Sequence, residues 1–109
     1  FFDIDGTLYD SRIGIPESTV NALNRLIANE HKIVMCTGRS KGMIPEEYFH
    51  MGFDGVILGA GTYVEYEGKI LHQELMTPEE VQTVIDWGKK QKIGIILKQK
   101  QTVKQHYIR

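Results

Sequence analysis

With a single cysteine, Cys36, the 109-residue sequence has no internal disulfide available to it, and with only three prolines and no Gly/Ser-rich tract it contains no obvious linker. No apolar run approaches the length of a bilayer span, and Phe1-Phe2-Asp3 lacks the basic start and long apolar stretch of a signal peptide. A reducing cytoplasm and no membrane partner are therefore expected. Acid is missing from the last stretch: every Asp and Glu lies at or before Asp86, whereas Lys89 to Arg109 holds seven basic residues. That imbalance reads as a solvated lysine face, and because no aromatic residues interleave with the lysines at stacking intervals, no nucleic-acid partner is expected. Apolar residues at 41% and charged residues at 25% are what a single globular unit needs, which sets aside disorder and fibrous classes.

Strand and helix signals alternate from the first residue, the pattern of parallel strands joined by crossover helices, so the fold class is α/β. Phe1 to Ile4 reads as the end of a first strand, Leu8 to Ile15 as a small flap, and Pro16-Glu17-Ser18 as the opening of a helix. Val20, Leu23, Leu26 and Ile27 give that helix one apolar face. Lys32 to Cys36 and Phe53 to Leu58 read as two further strands, with a short helix capped by Ser40 and running to Met51 between them. Thr62 to Tyr66 and Lys69 to Gln73 alternate about the turn Glu67-Gly68, which predicts a hairpin. Thr77-Pro78-Glu79-Glu80 is a capping box with proline at the first helical position, and Val81, Val84, Ile85 and Gly88 share a face of the helix it opens. Strands are expected over Ile93 to Lys98 and Val103 to Ile108, and a boundary between a core and a second unit near Gly59-Ala60-Gly61.

Two short segments carry the chemistry. Asp3-Ile4-Asp5-Gly6-Thr7 stands where an apolar strand gives way to a loop, the place where open α/β sheets bind ligands. Two carboxylates one residue apart can splay round a common point, one to attack and one to handle protons or hold a cation. The spacing does not fit an EF-hand, whose Gly and Glu positions fall on Leu8 and Gly14. Cys36-Thr37-Gly38-Arg39 also follows a strand directly, and brings together a hydroxyl, an unobstructed amide and a guanidinium suited to an anion. Each segment alone reads as an ordinary turn, but two neighbouring strands ending this way would converge on one pocket. A cysteine-phosphatase loop is set aside, since the position six residues beyond Cys36 is Gly42. His31, His50, His72 and His106 lack metal-ligand spacing and are assigned no role.

The strand followed by D-x-D-G-T, the strand ending in T-G-R and the later Gly-Thr-Tyr-Val-Glu-Tyr-Glu-Gly-Lys-Ile hairpin together resemble the haloacid dehalogenase-like hydrolases, and within them the Cof-type subgroup. The resemblance implies a Rossmann-like parallel core over residues 1–59, and over residues 60–109 a hairpin linker with the start of an inserted α/β cap. It implies a magnesium-dependent phosphatase for small phosphorylated metabolites such as sugar phosphates. Asp3 would be the nucleophile and Asp5 the acid/base; Asp3 and Asp5 would hold the metal; Thr37 and Gly38 would hold phosphate oxygens and Arg39 would face the substrate. The lysine and acidic metal loop that the family places after the cap have no counterpart before Arg109, so the chain is expected to be the N-terminal portion of a longer enzyme. A phosphomutase using the same aspartyl phosphate and a non-catalytic phosphate-binding fragment are the alternatives.

Overall fold

The computed structural model describes residues 1–98 and, for the backbone alone, 103–106. Helix α1 spans Glu17–Ala28, β1 Val34–Cys36, β2 Gly55–Leu58, β3 Tyr63–Tyr66, β4 Lys69–Gln73, α2 Pro78–Gln91, β5 Ile95–Lys98 and β6 Val103–His106. The first four strands form one sheet in the order β1-β2-β3-β4, in which β1 and β2 run parallel and the later pairs antiparallel. An α/β arrangement is thus present, with the hairpin continuing the sheet whose parallel part carries the two candidate segments.

The expected first strand shrinks to one parallel bridge, Phe2 with Met35. Its ladder consists of the Phe2 amide donating to the Val34 carbonyl and the Cys36 amide donating to the Phe2 carbonyl, both at 2.8 Å. Beyond it the chain winds up at once, because the Ile4 carbonyl accepts the amides of Thr7, Leu8 and Tyr9. The apolar segment is real but ends earlier than its hydrophobicity suggests. The flap is a tight turn, with the Asp10 and Gly14 amides each donating to the other residue's carbonyl and Gly14 at φ +77°.

The single short helix expected from Ser40 to Met51 is corrected. Two 3₁₀ turns stand there, Lys41–Met43 and Glu46–His50, and Ser40 makes no side-chain cap. Pro45 is the cause: it has no amide to donate and forces Ile44 towards extended backbone, observed at φ −104° and ψ 126°. The Phe53–Leu58 and Ile93–Lys98 strands likewise begin two residues late, at Gly55 and Ile95. Residues 107–108 of the last expected strand lie outside the described residues.

Two apolar clusters hold the core. Ile4, Met35, Ile44, Val56, Leu58 and Tyr63 form one, while Leu8, Leu23 and Ile33 form the other, and Phe53 packs against both. Of the apolar face expected on α1 only Leu23 is fully buried, and Ile27 stays 39% exposed. Helix α2 has the expected reciprocal cap: the Glu80 amide donates to Thr77 Oγ1 at 3.2 Å and the Thr77 amide to Glu80 Oε2 at 2.8 Å. Its far end closes through Lys92 in the left-handed region at φ 58°, whose neighbour Ile93 donates back to the Gly88 carbonyl. Gly88 is the buried contact with β5, since a methyl group there would stand 2.5 Å from Ile95 Cγ1.

Gly55 opens β2 opposite Tyr66, and a methyl group there would meet the Glu65 carbonyl oxygen and Tyr66 Cδ2, each at 2.8 Å. Gly55→Ala should cost about 1–3 kcal/mol in denaturant unfolding, because backbone cannot retreat as a side-chain tip can. Gly38→Ala, where nothing lies within 4 Å of the added carbon, should leave stability unchanged. Equal midpoints for Gly55→Ala and the wild type would refute this account of the β2–β3 pairing.

Candidate active site

The bridge between Phe2 and Met35, continued by Met35 opposite Val56, fixes the register of three neighbouring chain segments. One residue further on, Asp3, Cys36 and Ile57 stand level, so Asp3, Thr37 and Gly59 emerge at one carboxyl edge within about two strand spacings, each about 4.8 Å. The structure thus brings the two candidate segments to the same edge.

Asp3 is exposed, and among the described residues its carboxylate takes part in no hydrogen bond or ion pair. Its own carbonyl is occupied, accepting the Leu8 amide at 3.3 Å, which ties the backbone while leaving the side chain open. Gly6 follows at φ +81° and donates its amide to the Tyr9 carbonyl at 2.9 Å, a conformation that folds the loop back and that L side chains rarely adopt.

Thr37 is 5% exposed and is pinned by its backbone: its amide donates to Ile57 at 2.9 Å and its carbonyl accepts from Ala60 at 3.2 Å. Thr37 Oγ1 accepts the Arg39 amide at 3.1 Å, which leaves the hydroxyl hydrogen to donate elsewhere. Gly38 is exposed between them with open space where a side chain would be. A buried hydroxyl donor beside an unobstructed backbone suits a tetrahedral anion.

Asp5 and Arg39 are placed differently from Asp3. The Arg39 guanidinium grips the Asp5 carboxylate with two parallel bonds, Nε to Oδ2 at 2.8 Å and Nη2 to Oδ1. It is held from behind by the Met43 carbonyl, which accepts from Nη1 at 3.3 Å, and it lies 5.6 Å from the centre of the Tyr9 ring. The hydrogen bonds from Arg39 hold the Asp5 carboxyl below the ordinary carboxylate range, and the same pairing raises Arg39. Arg39 therefore spans the gap between the two candidate segments. Tyr9, the Met43 carbonyl and the amides of Gly59 and Ala60 complete this arrangement. No motif at their positions marks them, because each acts through contacts set by the tertiary fold.

Among the described residues no group of three His, Cys, Asp or Glu side chains gathers to cage a metal ion, and no helix is long and apolar enough to cross a membrane. Comparison with known proteins gives a consistent result. The family model for haloacid dehalogenase-like hydrolases matches residues 1–108. A Bacillus subtilis (strain 168) protein named as a candidate phosphatase, YkrA, is 26% identical over 104 residues, covering 95% of this chain and 40% of its own. A crystal structure of a hypothetical protein from Geobacillus kaustophilus HTA426 superposes with a TM-score of 0.83 at 28% identity, over 96% of this chain and 41% of that one. BT4131, a sugar phosphatase of subclass IIB, superposes with a TM-score of 0.78 at 30% identity, over 94% of this chain and 41% of its own. The chain thus spans about two-fifths of the length of these relatives.

The paired Asp5 and Arg39 set a pH dependence. A carboxyl whose folded value is depressed stabilises the fold above its unfolded value, and that contribution is lost as pH falls through the folded one. Arg39→Met should move the Asp5 carboxyl upward in an NMR titration and flatten the acid limb of the stability profile. Arg39→Lys should restore only part of the depression, since an ammonium cannot match the two-pronged geometry. An Asp5 titration indifferent to both substitutions would remove Arg39 as the cause.

Proposed function

This chain belongs to the haloacid dehalogenase-like hydrolases, with Cof-type relatives, and on that premise we propose that it supplies the nucleophile and phosphate-binding half of a phosphatase acting on small phosphorylated metabolites, sugar phosphates first among them. The observation that carries the reading is the convergence at one sheet edge of an open carboxylate, Asp3, with a buried hydroxyl donor, Thr37.

In this reading the Asp3 carboxylate attacks phosphorus, the ester P–O bond breaks, and the leaving oxygen takes a proton from Asp5. Asp5 then removes a proton from water as that water attacks the aspartyl phosphate, which frees inorganic phosphate and restores Asp3. The Thr37 hydroxyl and the Gly38 amide hold phosphate oxygens throughout. Asp5 cannot donate a proton while it is ionised in the grip of Arg39, so substrate binding has to loosen that pair. An incoming phosphate ester is itself an anion and competes for the guanidinium; as Arg39 turns to face it, the Asp5 carboxyl rises towards the range useful for acid/base work. This gives Arg39 its place facing the substrate and couples protonation of Asp5 to occupancy of the site.

The residues present suit magnesium as far as they go. Asp3 offers an uncommitted carboxylate, and the Asp5 carbonyl accepts none of the loop's backbone bonds among the described residues, so two hard oxygens stand ready beside water. When bound, the ion would neutralise phosphate charge and so favour attack by an anion. The division of the chain into a core over residues 1–59 and a cap-bearing part from residue 60 belongs to the same proposal. A phosphomutase would share each residue role and differ in the acceptor of the phosphoryl group.

Magnesium-dependent phosphate release from a panel of sugar phosphates should vanish in Asp3→Asn and fall by about 10²–10⁴ in Asp5→Asn. Gly38→Ala should raise KM with little change in unfolding midpoint, because its methyl group would occupy the open space beside the Thr37 hydroxyl. Release that survives Asp3→Asn would sink the proposed mechanism.

A further inference from the structure

Directly after Thr37-Gly38-Arg39, the residues Ser40 and Lys41 enter the wall of a cavity of about 590 Å³ that the roles above leave unused. Its volume is that of a small-molecule site. Most of its surface is apolar, from Leu58, Tyr63, Leu75, Met76 and Val81. Gly59 also lines it, and the Gly59 amide donates to the Arg39 carbonyl at 2.8 Å, so the cavity shares a wall with the phosphate-binding loop. Lys41 follows Gly38 by three residues, a reach of at most roughly 10 Å along the chain. The Lys41 backbone thus lies within roughly 10 Å of Gly38, a separation comparable to the length of a phosphorylated six-carbon chain.

One polar group there is unspent. The Lys41 ammonium pairs with no carboxylate among the described residues and instead lies 5.6 Å from the Tyr63 ring centre and 5.9 Å from that of Phe49. Lys98 adds a second cation to the lining. The one acid there, Glu74, faces His72 at 3.7 Å. The Lys41 ammonium, steadied by two aromatic rings beside a largely apolar wall, is left to pair with an arriving anion.

We propose that Lys41 is a specificity residue that binds a second anionic group on the substrate, remote from the phosphate to be transferred. The inference rests on the phosphatase reading and narrows its substrates to phosphorylated sugar acids and related doubly anionic esters. The apolar wall takes the carbon chain and Lys41 the far carboxylate or phosphate.

The matched probes are phosphogluconate and glucitol phosphate, both open chains phosphorylated on the terminal carbon, one ending in a carboxylate and the other in a hydroxymethyl group. The full-length wild-type enzyme should favour phosphogluconate in kcat/KM by on the order of tenfold, the worth of one charge-assisted hydrogen bond. Lys41→Met should bring that ratio near one, mainly through KM, and Lys41→Arg should keep most of it. Calorimetric binding of both probes to Asp3→Asn protein, with and without Lys41→Met, reads the same preference without turnover. A preference in binding with no hydrolysis by the wild type would uphold the role of Lys41 and overturn the phosphatase reading. Hydrolysis of both probes at equal efficiency, or a preference that Lys41→Met leaves intact, would overturn the role of Lys41 and leave the phosphatase reading standing.

Discussion

Two backbone hydrogen bonds at 2.8 Å, joining Phe2 to Val34 and Cys36, hold the candidate site together. Asp3 depends on them for its place beside β1. With them it is locked in register with β1, and the loop containing Thr37 leaves the sheet at its side. The Ile4 carbonyl then gathers three amides and turns the chain away from the sheet, so that Asp5 faces across the edge instead of continuing a ladder. Burial secures this geometry: Ile4 and Met35 are both fully excluded from solvent, and their contacts make the bridge part of the core.

Against that fixed frame, Arg39 is the adaptable element. Its guanidinium is anchored by the Met43 carbonyl and faced by Tyr9, yet its principal partner, Asp5, has a carboxylate 55% exposed to water. Such a pair is geometrically specific without being energetically deep, because solvent screens it. That is the balance required of a contact that must give way to an arriving anion. A buried version of the pair would hold Asp5 ionised against any substrate.

What the sequence made legible was local in origin. The capping box at Thr77 and Glu80 and the two-residue turn at Glu67-Gly68, with both residues at positive φ, depend on neighbours within a few positions. The candidate segments could be found because polar residues directly after apolar runs mark strand ends. Two features were misread for different reasons. Between Ser40 and Met51 the capping residue Ser40 suggests one helix, but Pro45, with its missing amide, splits the segment into two turns. The first strand ends sooner than its apolar run implies because hydrophobicity reports burial, and Ile4 is buried while its backbone already turns. The pairing of Arg39 with Asp5, 34 residues apart, has no local signature at all.

Strand β4 has a neighbour on one side only among the described residues, and all five of its residues are exposed, Ile70 and Leu71 included. A row of backbone donors and acceptors with an apolar face invites another extended chain to lie alongside. Lys69 and the shift in register between Val64 and Glu65 are its modest defences, the one by charge and the other by twisting the ladder. Concentrated samples of this chain would accordingly associate by adding strands along β4, and a proline in place of Leu71 would blunt that edge by removing a backbone donor.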